Sequence, residues 1–247
     1  MKNLMRKIFI DCGTHLGMGF SKLSSALNIN HEWDVYGFEA NPIVYEQYVK
    51  NIQSGKYPPL VNQNISLENK AVWTSEEGVE FSLRGITEHH FDHIYKDGKD
   101  ESNPYYSNEW ESGLANMASK NHNLSEEEIL DMPWDGGSCV SEMKDKITFN
   151  PDQDLMYKWH ENIKVESVDL SQWIMDNFSK DDYIVIKMDI EGAEYKVLPK
   201  MIEDGSIEYI NSAYIEWHDW FLPEYKSKTG ELMSSLQAAN VTIGSWG

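Results

Sequence analysis

Short apolar runs alternate with segments in which apolar residues recur at helical spacing, near both ends of the chain. Residues 7–11 form one such run, and a glycine-rich turn and a helix-period segment containing Phe20 and Leu23 follow it. Further along, residues 183–188 read YIVIKM, a strongly β-prone run, and residues 193–202 have helical spacing. This alternation predicts βαβ units, and therefore an α/β protein with a mostly parallel, Rossmann-like sheet covered by helices on both faces.

Residues 84–162 break this alternation, because they are rich in turn-forming residues, acids and scattered aromatics. A structureless loop of this length is unusual in a compact domain. We therefore predict an inserted cap between two parts of a core, residues 1–83 and 163–247. Aromatic residues such as Trp110 and Trp134 favour an ordered cap over the alternative, a disordered acidic loop.

The charge balance excludes some classes of partner. Asp and Glu number 41 against 21 Lys and Arg, which gives a formal net charge of −20. Such a field repels phosphate backbones and anionic lipid surfaces, so neither a nucleic acid nor a membrane is expected as partner. The two cysteines, Cys12 and Cys139, cannot form a disulfide framework, and we expect reduced thiols and a cytoplasmic location.

The first motif with chemical content is DCGTHLG at residues 11–17, between a predicted strand and a predicted helix. Its glycines let the backbone turn tightly and approach a ligand closely. The carboxylate of Asp11 would repel the pyrophosphate of a nicotinamide cofactor, which disfavours an oxidoreductase. It suits a cation such as the amine and sulfonium of S-adenosylmethionine. The alternative is a tight strand–helix turn without a ligand.

Glu39 ends the second predicted strand, within GFEANP. A carboxylate at this place in a nucleotide-binding sheet can accept hydrogen bonds from the two ribose hydroxyls. Taken alone, Glu39 can equally be a solvated residue at the end of a strand. The glycine turn and the acid in this order together favour a nucleoside cofactor.

A third group of polar residues lies in KMDIEGAE, where Lys187, Asp189 and Glu191 follow a buried strand. Open α/β sheets bind their ligands at the carboxyl ends of their strands. Glu216 and His218 follow the next predicted strand and are expected at the same edge. Asp189, Glu216 and His218 can therefore hold a divalent metal ion or supply a base, and the alternative is a set of structural polar groups.

These motifs, together with NKAVW and YIEWH, resemble the FkbM-type methyltransferases, a branch of the class I S-adenosylmethionine-dependent enzymes. The resemblance covers roughly residues 7–83 and 163–240, and KMDIEGAE is its most specific part. It implies a class I sheet, although only one candidate strand follows residue 240 where such sheets usually close with an antiparallel hairpin. It also implies contacts to the methyl donor by a set of residues around the two loops: Asp11, Gly13, Thr14, His15, Gly17, Glu39, Ala40, Asn41, Asn69 and Ala71.

The sequence thus predicts an S-adenosylmethionine-dependent O-methyltransferase for a hydroxyl of a sugar, glycan or glycosylated small molecule. Asp189, Glu191 and His218 are the predicted catalytic residues, and residues 84–162 are predicted to recognise the acceptor. The alternative is a non-catalytic binding module of nucleoside-binding fold, whose insert recognises a glycan or a protein.

The assignment of Asp11 to the methyl donor makes a first prediction. The Asp11→Ala variant should bind S-adenosylhomocysteine at least tenfold more weakly, which corresponds to about 1.4 kcal/mol. The melting temperature of the ligand-free protein should change little, because this residue is assigned to binding. Calorimetric titration measures the affinity, and equal affinities in wild type and variant would remove the assignment.

Overall fold

The computed structural model describes residues 5–53, 64–88, 127, 130, 137–149 and 157–246. In chain order the strands are β1 (Lys7–Cys12), β2 (Trp33–Phe38), β3 (Asn64–Glu68), β4 (Ala71–Trp73), β5 (Val79–Ile86), β6 (Cys139–Val140), β7 (Tyr157–Val165), β8 (Ser167–Asp169), β9 (Tyr183–Met188), β10 (Ile210–Ile215) and β11 (Thr242–Ser245). The helices are α1 (Met18–Ala26), α2 (Pro42–Gln53), α3 (Ser141–Lys144), α4 (Leu170–Asn177), α5 (Glu194–Asp204) and α6 (Lys226–Ala238).

Six strands form a central sheet in the order β11–β10–β9–β1–β2–β3, and every neighbouring pair is parallel. This arrangement confirms the predicted α/β, Rossmann-like fold. The order along the chain reverses between β1 and β9, which makes their carboxyl ends the switch point where such sheets bind ligands. The register pairs Asp11 with Lys187 and Cys12 with Met188 across that point.

The two central strands, β1 and β9, are apolar at residues 8–10 and 184–186, because helices cover both faces of the sheet. Ile8 and Ile10 in β1 are fully buried and belong to the core cluster shared with α4 and α5. Phe9, between them in sequence, points to the opposite face, where it packs with Phe20 of α1 and Tyr48 of α2. The buried strands therefore fix the position of the polar residues that follow them.

The alternation of strands and helices predicts a single third strand within residues 64–73. The structure instead has two strands there, β3 and β4. β3 lies at the edge of the central sheet, whereas β4 pairs in parallel with β8 in a separate two-stranded sheet. The side chain of Asn69, between the two strands, donates hydrogen bonds to the carbonyl oxygens of Glu39 and Ala40 at 2.7 and 3.2 Å. These bonds hold the chain at the point where it leaves the central sheet.

A three-stranded antiparallel sheet, β6–β5–β7, joins the two ends of the predicted insert. Both predicted boundaries fall inside paired strands, since Arg84 lies in β5 and Asn162 in β7. The division into core and cap stays a prediction, because most of residues 84–162 lie outside the described residues. His89 and His93, whose spacing can chelate a metal on a helix, also lie outside them.

β11 pairs in parallel with β10 at the edge of the central sheet. Within the described ranges, no antiparallel strand lies beyond it. The single candidate strand after residue 240 is therefore a parallel edge strand, and its pairing brings the residues that follow it to the carboxyl edge of the sheet. That edge is where the predicted catalytic residues lie.

Two glycines provide a test of how the site is packed. Gly13 has φ +76°, and a Cβ there would lie 1.8 Å from the carbonyl oxygen of Asp189, whereas a Cβ on Gly230 in α6 would meet nothing within 4 Å. Gly13→Ala should lower the free energy of unfolding by more than the roughly 1–2 kcal/mol of a left-handed backbone alone. Gly230→Ala, the matched control, should raise it by roughly 0.5–1 kcal/mol. Urea unfolding measures both, and equal effects would contradict the close packing of Gly13.

Candidate active site

The carboxyl ends of β1 and β9 are joined by a buried lysine. Lys187 is 2% exposed, and its Nζ donates a 2.6 Å hydrogen bond to the carbonyl oxygen of Gly13. The same Nζ lies 3.4 Å from Asp11 Oδ1 and 3.3 Å from Asp189 Oδ2. Burial by itself would lower the pKa of Lys187, but the two carboxylates outweigh it and raise the pKa, so the side chain is an ammonium.

Asp11 is almost fully buried, and neither of its carboxylate oxygens has a hydrogen-bond partner among the described residues. Burial raises the pKa of Asp11, and the Lys187 charge partly offsets that effect. Buried polar groups are normally hydrogen-bonded. Asp11 therefore has acceptor capacity for a donor group from a ligand. It is also one of the two carboxylates beside the buried Lys187, so Asp11→Ala should destabilise the ligand-free protein as well, contrary to the expectation from the sequence.

The glycine turn is built against the end of β2. The backbone N–H groups of Gly13 and Thr14 both donate to the carbonyl oxygen of Phe38 at 3.0 Å, and the N–H of Gly17 donates to the carbonyl oxygen of Thr14 at 2.8 Å. His15 has φ +47°, a left-handed conformation that non-glycine residues seldom adopt. Its N–H donates to Glu39 Oε2 at 2.7 Å, so the position of His15 is held by its backbone.

Glu39 connects two loops. Its Oε2 accepts the hydrogen bond from His15, and its Oε1 accepts one from the N–H of Asn41 at 2.9 Å. Burial raises the pKa of Glu39 to about 7, although these two hydrogen bonds favour the ionised form. Each carboxylate oxygen keeps a second lone pair, which leaves room for a ligand hydroxyl. The structural contribution of Glu39 was not predicted.

Three further residues predicted to contact the methyl donor, Ala40, Asn41 and Asn69, lie beside Glu39, and a fourth, Ala71, follows Asn69 by two residues. Asn69 donates to the backbone of Glu39 and Ala40, as described above. The side-chain oxygen of Asn41 accepts from the N–H two residues on, at 3.1 Å, and so caps α2. Ala71 is buried at the start of β4. The fold therefore brings the predicted donor-contact residues together at the ends of β1 and β2.

His218 lies at the other side of the switch point, fully buried after β10. Its Nδ1 lies 3.0 Å from Oε1 of Glu194, a buried carboxylate that also accepts the backbone N–H of Gly192 at 2.9 Å. Its Nε2 lies 3.7 Å from Asp189 Oδ1 and 3.7 Å from Glu191 Oε2. The three predicted catalytic residues are therefore neighbours, and Glu194 orients the imidazole.

The charges in this group are strongly interdependent. Burial alone would lower the pKa of His218, but the carboxylates of Glu194 and Glu191 outweigh it and raise the pKa to about 10. Burial raises the pKa of Glu191 to about 8 and that of Glu216 to about 7. Burial would also raise the pKa of Asp189, yet the charges of Lys187 and His218 bring it below its usual value. At neutral pH, His218 is therefore a cation and Asp189 an anion.

Three of these residues also form a possible ligand set for a cation. Asp189, Glu216 and His218 each offer one ligand atom, and these atoms lie within 4.8 Å of one another. The second ring nitrogen of His218 already faces a carboxylate, as is usual for metal-binding histidines. Metal binding at this place stays a prediction.

The predicted catalytic residues Asp189, Glu191 and His218 are called the reaction centre below. Two residues near it were not predicted. Trp246 donates from Nε1 to Asp189 Oδ2 at 3.1 Å, and Lys187 Nζ lies 5.4 Å from the centroid of its ring. The guanidinium of Arg84 lies 4.3 Å from the ring centroid of Tyr157, and its charge lowers the pKa of Glu191. Neither residue belongs to a motif, because each reaches the site through strand pairing at a distance along the chain.

A parallel sheet with a glycine turn and carboxylates at its switch point defines a nucleotide-binding type of α/β fold. The methyltransferase FkbM domain matches residues 11–241, nearly the whole chain, so the chain belongs to the FkbM methyltransferase family and is a methyltransferase. The match runs through residues 84–162, which the resemblance left uncovered. Comparison with curated proteins and with solved structures finds no match. Among the described residues, no helix has the length and apolar character needed to cross a membrane.

The contact between His218 and Glu194 can be tested without a ligand. Glu194→Gln removes the largest favourable charge, so the pKa of His218 should fall from about 10 towards its ordinary value near 6.5. Because the pKa is raised by folding, the stability that this pair contributes is complete below about pH 6.5 and is lost as pH rises through 10. In the variant the loss should still begin near pH 6.5, but it should be smaller and should end at lower pH.

An NMR titration of the imidazole nitrogens measures this pKa directly. Glu208→Gln, which changes an exposed carboxylate just before β10, is the matched control and should leave the pKa of His218 unchanged. Glu191→Gln gives a second, smaller decrease if the Glu194 variant does not fold. An unchanged pKa in a folded Glu194 or Glu191 variant would contradict the electrostatic account.

Proposed function

We propose that the chain is an S-adenosylmethionine-dependent O-methyltransferase that acts on a hydroxyl of a sugar, a glycan or a glycosylated small molecule. The observation that carries the proposal is the buried Asp11 carboxylate at the switch point of the sheet, which forms an ion pair with Lys187 at 3.4 Å and accepts no hydrogen bond of good geometry from the residues that the structure describes. At the carboxyl ends of β1 and β9, carboxyl groups outnumber basic side chains, which favours a positively charged methyl donor. Membership of the FkbM methyltransferase family supports the same conclusion.

The residues present fit this donor. Asp11 would accept hydrogen bonds from its amine, Glu39 would accept them from its ribose hydroxyls, and residues 69–71 would pack near its adenine. The donor supplies an electrophilic methyl group on a sulfonium sulfur. The protein brings the acceptor oxygen into line with that group, and such positioning can lower a barrier by about 7–11 kcal/mol.

The acceptor hydroxyl must lose a proton, and the site offers two carboxylates for it. Asp189 is held ionised by Lys187 and His218 and can orient the hydroxyl as a hydrogen-bond acceptor. Burial raises the pKa of Glu191 to about 8, so its ionised form, the one that can receive the proton, becomes the major form only as the pH rises past 8. His218 is a cation that stabilises both carboxylates rather than a base. General-base catalysis of this kind contributes roughly 10²–10⁴-fold.

A divalent metal ion is a second way to activate the hydroxyl. Asp189, Glu216 and His218 would hold the ion, with Glu194 behind the imidazole as the outer hydrogen-bond partner. Such an ion would lower the pKa of the acceptor hydroxyl. His218 would then have to release its Nε2 proton, which the nearby carboxylates oppose.

Acceptor recognition by residues 84–162 remains part of the proposal. The contact of Arg84 with Tyr157 supports it because it joins two parts of that segment, and the charge of Arg84 lowers the pKa of Glu191. The buried free thiols of Cys12 and Cys139 support a cytoplasmic location. Family membership favours an enzyme over the alternative of a non-catalytic binding module.

The central test is Asp189→Asn, which keeps the shape of the side chain and removes its charge. We expect turnover to fall at least a hundredfold, with S-adenosylhomocysteine still bound and the fold intact. Transfer of a radiolabelled methyl group to a panel of glycans measures turnover. The matched control is Asp181→Asn, an exposed carboxylate just before the amino end of the same strand, which should be fully active.

The other outcomes separate the components of the proposal. Loss of transfer with a chelator, and its recovery with a divalent ion, would select the metal over the carboxylate base. Near-normal turnover in both Asp189→Asn and His218→Ala, with a confirmed acceptor, would contradict the assignment of the reaction centre. Failure of the wild type to bind S-adenosylhomocysteine would contradict the donor.

A further inference from the structure

A cavity of about 530 Å³ lies between β10, β11 and α6. Its volume falls within the range of roughly 300–1,000 Å³ that is usual for small-molecule sites. Since β10 and β11 lie on the far side of β9 from β1, the cavity is separated from the glycine turn by the reaction centre. Tryptophans, a methionine and two polar side chains are among its lining residues: Trp217, Trp220, Trp246, Met233, Glu216 and Gln237.

Two lining residues connect the cavity to the reaction centre. The indole N–H of Trp246 donates to Asp189 Oδ2 at 3.1 Å. A carboxylate oxygen of Glu216 lies within 4.8 Å of a carboxylate oxygen of Asp189 and of a ring nitrogen of His218. A molecule in the cavity therefore contacts Trp246 and Glu216, which both lie beside Asp189.

The composition of the wall indicates the kind of molecule that fits. Trp220 is 59% exposed, and among the described residues the other large apolar side chain with such exposure is Met5. An exposed indole beside two further indoles offers flat apolar surfaces with polar edges. The carboxylate of Glu216 and the amide of Gln237 add hydrogen-bonding groups. Apolar faces and hydroxyl edges are the complementary features of a pyranose ring.

The charges of the site restrict the molecule further. Four carboxyl groups, those of Asp189, Glu191, Glu194 and Glu216, lie at or near the cavity, against the two basic side chains of Lys187 and His218. Like charges that are brought together across a binding surface repel each other. A uronic acid or a sugar phosphate is therefore disfavoured, whereas a neutral sugar or an amino sugar is not.

We propose that this cavity is the acceptor site, and that it binds an uncharged or amino-bearing pyranose with a ring face against Trp220 and hydroxyls directed to Glu216 and Gln237. The inference rests on the proposed function, because it supplies the acceptor for that reaction. It also assigns part of acceptor recognition to residues outside 84–162.

Saturation-transfer NMR on the full chain tests the proposal with four probes: the methyl glycosides of glucose, galactose, glucosamine and glucuronic acid. The ring C–H protons of the neutral and amino sugars should receive saturation, and those of the glucuronide should not. Trp220→Ala should lower the signal at least fivefold, and Gln237→Ala should also lower it. Met5→Ala, which changes an equally exposed apolar side chain before β1, is the matched control and should leave the signal unchanged.

Stronger saturation of the glucuronide, no saturation of any pyranose, or an unchanged signal in Trp220→Ala would overturn the inference. Calorimetric titration with S-adenosylhomocysteine separates this result from the proposed function. Donor binding without any sugar signal would leave the methyltransferase proposal standing and remove the acceptor site. Sugar binding without binding of S-adenosylhomocysteine would leave the sugar site standing and remove the methyl donor from the proposed function.

Discussion

The site depends on one buried ammonium group, that of Lys187. Isolated charges are costly to bury, and the cost is offset only by well-placed partners. Here the partners are the carbonyl oxygen of Gly13 and the carboxylates of Asp11 and Asp189. These groups come from the turn after β1 and from the end of β9. The Lys187 side chain therefore holds the glycine turn after β1 and the end of β9 in a fixed relation. Helix α1 begins close to it, since a Cβ on Gly19 would contact the methylene groups of Lys187.

Carboxyl groups outnumber basic side chains around Lys187, and this excess sets the charges of the other groups in the site. On one side, Asp11 and Glu39 are buried with raised pKa values, which favours a ligand that brings positive charge or hydroxyl donors. On the other side, Glu194 holds His218 as a cation between Asp189 and Glu191. In the proposed function, the same excess of carboxyl groups suits a cationic methyl donor and disfavours an anionic acceptor. Donor and acceptor selection would then both follow from one charge distribution.

Local sequence patterns predicted the elements that build this site. The apolar run before Asp11, the glycine turn and the acid at residue 39 each depend on neighbours a few residues away, so a single segment carries the signal. The same holds for KMDIEGAE, whose strand and helix are both where the pattern placed them. The two strands within residues 64–73 were not separated, because their division depends on Asn69 bonding to a loop thirty residues earlier.

The sequence by itself determined the fold class, the order of the central strands along the chain and the identity of the polar residues at their ends. It did so because buried strands and helix-period segments are short-range patterns. Only the tertiary structure decided that Glu194 orients His218, that Trp246 binds Asp189 and that Arg84 packs against Tyr157. Each of these contacts joins segments that meet through sheet pairing or helix packing, and burial then sets the charge of every group involved.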